Sequence, residues 1–385
     1  MKALRDLVLT YFNPPKPYIL PYQQMTKSII LILLLKRHTF LRSLNDDLKK
    51  NVVLVGPSGV GKTTTIVNMY SIAQTVQSML ATALDMQFSV TRLTTITRAA
   101  LEGSVNGTGR NATFIPPEFA LHDLIVADEL STILTSRSGV IEVFLKALDK
   151  DGHISKKLVK FANPRIRDII NSQYSERGIH MTEDFKLYYT SKSSLFSATT
   201  DIFQLPLNQL KAFVSRCDVI FMPKNNIISA ILFDDDVFVP NPSDEVRIAN
   251  AIVDTVRKTT ITIDDIKRIR REVIAIIQET TNIYELTLRD ISKIVADAIA
   301  TYVMWGGTDF SKFDPDDYKE DIKDYLIIRK EPVALLNNLK MLLQKGAGIT
   351  QLENLLGLSF IEISKLLKNL NAKGYKDGGG LVWQI

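Results

Sequence analysis

The chain has 385 residues, 45% of them hydrophobic and 23% charged, near globular averages, which excludes a disordered or fibrous chain. Lysine and arginine number 47 against 42 acids, a net charge of +5, so a surface for nucleic acid must be local rather than global. One cysteine, Cys217, excludes an internal disulfide and a cysteine-rich zinc site, and makes a reducing, cytoplasmic interior the expected compartment.

At about 150 residues per domain, this length suggests two or three domains. Residues 1–16 open with a short amphipathic stretch that Asn13-Pro14-Pro15 ends. Residues 23–48 read as helix, with Asn45-Asp46-Asp47 as a turn. The longest apolar run, Ile29 to Leu35, falls far short of the roughly 20 residues that span a bilayer, so it reads as a buried helix and no membrane partner is expected. Asn51 to Val55 is a short β-branched strand, and Thr63 to Leu84 reads as helix. Leu124 to Ala127 is a second strand that ends in Asp128-Glu129. Ser194 to Ala198 and Asp218 to Met222 are a third and a fourth. Strands alternating with helical segments predict an α/β fold with a mainly parallel sheet.

After Pro242 the pattern is helical to about Trp305. Residues 309–324 carry seven acids and three bases around Phe313-Asp314-Pro315-Asp316-Asp317 and read as a linker. Val333 to Gln344 reads as helix. Gly348 to Gly357 gives a second helix capped by Thr350, and Ser359 to Ala372 a third, with Ile363, Leu366, Leu367 and Leu370 at helical spacing. Gly374 to Trp383 reads as strand, glycine turn, strand. Three helices and a hairpin predict a C-terminal winged helix. The expected organisation is an extension over 1–16, an α/β core over 17–225, a helical lid over 226–308, an acidic linker over 309–332 and a winged helix over 333–385.

The run Gly56-Pro57-Ser58-Gly59-Val60-Gly61-Lys62-Thr63, with Thr64 next, fits G-x-x-x-x-G-K-[ST] between a strand and a helix. Glycines let successive backbone N–H groups turn toward a phosphate, and the helix N-terminus adds its positive dipole end. Lys62 is the residue to reach the β- and γ-phosphates, and Thr63 places a hydroxyl on Mg²⁺. The strand ending in Asp128-Glu129 is the natural partner: Asp128 holds the Mg²⁺ through water and Glu129 polarises the attacking water as general base. ATP and Mg²⁺ are the expected cofactors.

At these residues the chain resembles the AAA+ ATPases, and within them the MCM replicative helicases. Pro17 to Ile29 looks like the family's segment that packs on adenine, which implicates Tyr18 and Ile19, with Pro21 where that family has glycine. Thr190 to Asp201 is similar to the sensor-1 strand. Thr200 takes the position usually held by asparagine, with Thr199 the other candidate. Leu205-Pro206 and Val214-Ser215-Arg216-Cys217-Asp218-Val219-Ile220-Phe221 look like the L-P and S-R-F-D-L-I-F stretches, which implies that Arg216 is an arginine finger. Leu286 to Ile291 resembles the lid segment and implies sensor 2 at Arg289. An arginine finger completes a neighbour's site, so a homo-oligomeric ring, expected to be a hexamer, is implied. The family carries a large N-terminal OB-fold domain, and the short stretch before Pro17 implies a compact form without one.

DNA is the expected partner. Turn signals around Asn106-Gly107-Thr108-Gly109-Arg110 predict an extended hairpin with Arg110 near its tip, where the family inserts a hairpin. Basic residues from Lys156 to Arg177, including Lys157 and Lys160, lie where similar proteins place a hairpin whose lysine faces a central channel, and which lysine does so stays open. In the C-terminal unit Lys365 and Lys368 fall on the expected recognition helix and Lys376 on the wing. The function implied is a helicase or translocase of DNA replication. An ATP-switched initiator or loader and a protein-remodelling ATPase are the alternatives.

Overall fold

The computed structural model describes residues 4–12, 16–43, 48–83, 86–107, 111–150, 152–157, 164–202, 205–222, 242–280, 286–356, 363–364, 367, 372–377 and 380–384. Helices α1 (Leu4–Phe12) and α2 (Lys16–Arg37) lead into strand β1 (Asn51–Val55) and helix α3 (Lys62–Ala83). Then come β2 (Val90–Thr95), α4 (Arg98–Glu102), the hairpin of β3 (Ser104–Asn106) and β4 (Thr113–Ile115), α5 (Glu118–Leu121) and β5 (Leu124–Glu129). Short helices α6 (Ser131–Leu134) and α7 (Ser138–Ala147) precede β6 (Gly152–Lys157), α8 (Pro164–Gln173), β7 (His180–Met181), β8 (Lys186–Ser191) and β9 (Ser194–Thr199). Helix α9 (Leu207–Arg216) runs straight into β10 (Cys217–Phe221). The rest is α10 (Pro242–Lys258), α11 (Ile263–Thr280), α12 (Leu288–Met304), α13 (Lys319–Lys345), β11 (Ala347–Gly348), α14 (Ile349–Leu356) and the hairpin of β12 (Lys373–Asp377) and β13 (Gly380–Gln384).

Five strands form one parallel sheet in the order β10-β1-β9-β5-β2. Helices cover both faces, so the central strands are buried on both sides. Val52 to Val55 of β1 and the first four residues of β5 are hydrophobic runs without alternation, and β9 mixes apolar residues with buried hydroxyls such as Ser197, which donates to the Ala127 carbonyl. Every residue of β1 is buried. Val52 and Leu54 join the core formed with α2, α3, α10 and α12, whereas Val53 and Val55 join the core formed with α7 and α9. Strand β2, with its Val-Thr-Arg-Leu-Thr-Thr alternation, is the sheet edge that the reading of apolar runs passed over. No helix among the described residues is long and apolar enough to cross a membrane.

Two expectations need correcting. The acidic stretch expected as a linker is packed structure. Phe310 and Phe313 are fully buried against Tyr302, and residues 319–345 form one continuous helix whose Tyr325 and Arg329 are buried in the interior. Aromatic residues placed among the acids supply the apolar surface that a true linker lacks. Thr350 is not the cap of α14, because it lies inside the helix; the preceding Gly348 N–H instead donates to the Gln351 Oε1 at 3.1 Å. The C-terminal hairpin forms as expected, and β11 adds a third strand to it. Most of the helix expected over 359–372 lies outside the described residues; Ile363 and Leu367 are described and buried.

Candidate active site

The glycine-rich loop leaves the C-terminal edge of the sheet between β1 and α3. Gly59 and Gly61 have φ of +84° and +77°, which side chains rarely adopt, and a Cβ on Gly56 would stand 2.7 Å from the Met222 carbonyl oxygen. Only glycine fits these positions without strain. The Lys62 ammonium lies in the loop and donates to the carbonyls of Gly56 at 2.5 Å and Pro57 at 2.8 Å. Thr63 and Thr64 are exposed in the first turn of α3, a 22-residue helix whose dipole points its positive end at the loop. Ser58 is exposed, Pro57 half-buried and Val60 buried as the apolar anchor of the loop. Tyr18 and Ile19 lie in the first turns of α2.

Strand β9 lies between β1 and β5, so Asp128 and Glu129 emerge two strands, about 10 Å, from the strand that carries the loop. Arg92 of the edge strand β2 binds both oxygens of Asp128, with Nε–Oδ1 and Nη2–Oδ2 at 2.9 Å. This bidentate pair was not anticipated, because Arg92 is close to Asp128 only through the β2–β5 register. Glu129 turns toward its own downstream backbone, and Oε1 accepts the N–H groups of Leu130 and Ser131 at 2.9 Å. Thr199 is fully buried, and its hydroxyl is committed to the Asp201 backbone. Thr200, the next residue, is the half-buried hydroxyl at the strand end, where the Gly56 N–H donates to the Thr199 carbonyl at 3.3 Å.

These residues fit a nucleoside triphosphate with Mg²⁺. The loop supplies turned backbone and an ammonium for phosphates. Thr63 and Asp128 offer hard oxygen atoms of the kind that Mg²⁺ accepts alongside phosphate oxygens and water. The described residues contain no cluster of three or more His, Cys, Asp or Glu, and a phosphate-bridged ion does not require one.

Arg216 and Arg289 stand at the other edge of the sheet. The register pairs Val55 with Phe221 but Asn51 with Cys217, so Arg216 lies beside the start of β1, roughly 13 Å along the strands from the loop. Both arginines converge on Asp149, which follows α7. Arg216 Nη2 meets Oδ2 and Arg289 Nη2 meets Oδ1, each at 2.7 Å. Their other Nη1 groups turn to Ser215 Oγ, at 3.5 Å from Arg216 and 3.1 Å from Arg289, and Arg216 Nη1 also donates to the Ala212 carbonyl. Neither Asp149 nor this convergence was visible in the sequence, where Arg216 and Arg289 are far apart.

Behind this pair lies a buried ionic network. Lys27 meets Asp297 at 2.8 Å, Lys50 meets Asp297 at 3.0 Å and Asp218 at 2.6 Å, and Arg329 meets Asp218 at 3.3 Å and Asp290 at 2.6 Å. The Tyr325 hydroxyl donates to Asp218 Oδ1 at 2.6 Å, and the Lys50 ammonium sits 4.2 Å from the Tyr325 ring centre. Burial by itself would raise the Asp218 pKa, but Lys50, Lys293 and Arg329 outweigh it and hold the carboxyl well below the usual carboxylate range. Burial pushes the Cys217 thiol up to about 12, which fits a packing residue rather than a nucleophile.

The expected DNA contacts separate into two groups. Along β6, Gly152, Ile154 and Lys156 face inward, while His153, Ser155 and Lys157 face outward. Lys156 is tied to the chain by Glu102 at 3.0 Å and the Gly103 carbonyl at 3.2 Å. Lys157 is exposed and opposes Lys186 across the hairpin. Lys376 lies on β12, opposite Leu381. Arg110, Lys160, Lys365 and Lys368 lie outside the described residues.

No protein-family model matches the chain, and no curated protein matches it. Among solved structures it is similar to a full-length MCM homolog from Methanopyrus kandleri, with 11% sequence identity and a TM-score of 0.45. That likeness covers 86% of this chain and 59% of the other, so the chain spans about three fifths of that protein's length.

Proposed function

We propose that the chain is a ring-forming ATPase of the AAA+ kind that hydrolyses ATP and moves on DNA during replication, most simply as a hexamer. The observation that carries this reading is the polarity of the sheet. The phosphate loop leaves one edge, and the two arginines stand at the other. Arg216 cannot reach the loop of its own copy while β10 stays paired with β1, and Arg289 is bonded to the same Asp149. The arginines of a neighbouring copy can reach it, and a head-to-tail contact repeated around an axis closes a ring.

Within such a site Lys62 and the loop N–H groups bind the phosphates, with Gly56 to Gly61 keeping the backbone close. Thr63 and Asp128 hold Mg²⁺, which when bound neutralises charge across the phosphates. Glu129 turns from the Leu130 and Ser131 N–H groups to take the proton of the attacking water, and Thr200 orients that water. Tyr18 and Ile19 flank the base. Arg216 and Arg289 of the next copy stabilise charge on the transferred phosphoryl group. Lys157, on the outward face of β6, is the lysine that grips DNA phosphates, with Lys160, Arg110 and the C-terminal Lys365, Lys368 and Lys376 as further contacts.

Strand displacement of a forked duplex tests this directly. The wild type is expected to unwind it with ATP, and Glu129→Gln and Lys157→Ala are each expected to lose unwinding. ATP turnover that ignores DNA, without any unwinding, would replace the motor with an ATP-dependent assembly switch.

A further inference from the structure

We infer that Asp149 is a positioning residue for the two arginines, holding them as one unit for an anionic phosphate presented by a neighbouring copy. The inference rests on the ring ATPase reading above. A single carboxylate takes one N–H from each guanidinium, with both contacts at 2.7 Å. Two arginines this close repel, and the carboxylate between them offsets that repulsion while leaving the cluster with a surplus positive charge. The three side chains remain partly exposed, at 17% for Arg216, 33% for Arg289 and 23% for Asp149, so the cluster is open to a ligand from outside the chain.

The backbone around Asp149 is fixed as firmly as its side chain is open. Lys49 Nζ donates to the carbonyls of Ala147 at 2.6 Å and Asp149 at 3.0 Å. Asn51 Nδ2 bridges the carbonyls of Leu148 at 3.1 Å and Arg216 at 3.0 Å, and Lys293 Nζ donates to the carbonyls of Lys49 and Arg216 at 3.1 Å. The end of α7, the start of β1, the start of β10 and α12 are therefore tied together at one point. Arg216 comes from α9 and Arg289 from α12, two elements with no sequence connection near the site. Asp149 bonds both at 2.7 Å and is the charged group between them, while the Ser215 hydroxyl touches both at the longer 3.5 and 3.1 Å. The pull of Asp149 sets the angle at which both guanidiniums face outward.

The test measures ATP turnover at saturating protein and the affinity for ATP. It uses Asp149→Asn, Asp149→Glu, Arg216→Ala/Arg289→Ala, and the last pair combined with Asp149→Asn. Misplaced arginines cost on the order of 10²-fold in turnover. Asp149→Asn is expected to lose about that much of kcat, with ATP affinity unchanged. Asp149→Glu is expected to restore part of it, and Asp149→Asn to cost nothing further where both arginines are already gone. Wild-type turnover in Asp149→Asn, with turnover lost in the arginine pair, would overturn the inference and leave the arginine reading standing. An equal further loss in the arginine-free background, or a lowered unfolding midpoint in both backgrounds, would also overturn it, since Asp149 would then act on folding. Wild-type turnover in the arginine pair itself would remove the arginine reading and this inference with it.

Discussion

The two edges of the parallel sheet treat their charged groups in opposite ways. At the C-terminal edge Lys62 rests on two loop carbonyls, Glu129 on two backbone N–H groups and Asp128 on the partly exposed Arg92. Each is held by contacts that a ligand can exchange. At the N-terminal edge Lys27, Lys50, Asp218, Asp297 and Arg329 are nearly sealed from solvent and satisfied by one another. A buried ion pair gains little over an apolar core, yet breaking one member leaves an uncompensated charge. The network therefore acts as a rigid base joining α2, β1, β10, α12 and α13, while the opposite edge stays free to rearrange. Arg216, Arg289 and Asp149 lie at the rim of that base, rigid behind and open in front.

Mutations at the two edges are expected to separate chemistry from stability. Glu129→Gln should lower ATP turnover by about 10²–10⁴-fold, the usual worth of a general base, while binding of ATP and the unfolding midpoint stay unchanged. Asp218→Ala should do the reverse, costing about 3–5 kcal/mol in denaturant unfolding, because Lys50 and Arg329 lose their shared carboxylate. A stability loss in the first variant as large as in the second would erase the distinction.

Acid sharpens the same comparison. For Asp290, as for Asp218, burial would raise the carboxyl, but Arg329 and the Thr287 hydrogen bonds hold it down. Both carboxyls titrate below the unfolded value of about 3.9. Their contribution is complete above that value and is lost as pH falls through the depressed folded values. Stability measured by denaturant titration below about pH 4 should rise less steeply with pH in Asp218→Asn than in the wild type. An unchanged slope would count against the network.

The smallest effects concern neighbours on β6. Lys157→Ala should leave stability within about 0.5 kcal/mol and reduce the salt dependence of DNA binding by about one phosphate contact. Lys156→Ala should cost about 1–2 kcal/mol of stability, since the buried Glu102 loses a charged partner, and should leave the salt dependence intact. The opposite assignment of the two effects would place Lys156 on the DNA side.

Much of the C-terminal edge was legible in the sequence, because its chemistry is local. The glycine loop, the strand before it and the carboxylates at the end of β5 each occupy a short contiguous run, and the apolar parts of β1 and β5 announce themselves as buried strands. The N-terminal edge was not legible. Lys27 and Asp297 are 270 positions apart, and a lone lysine or aspartate in a helix reads as a solvated surface residue until the fold encloses it. Arg92 and Asp149 were missed for the same reason, since register and packing alone bring them to their partners. Acidity made residues 309–324 read as a linker, although Phe310, Phe313 and Tyr318 carried the contrary signal.

The central claim is that one copy's arginines complete another copy's phosphate site. Mixing Lys62→Ala chains with Arg216→Ala chains tests it most directly. Each is expected to be nearly inactive alone, and the mixture is expected to recover ATP turnover, since the intact loop of one chain meets the intact arginine of the other. A mixture no more active than its parts, or full turnover by Arg216→Ala alone, would contradict the account.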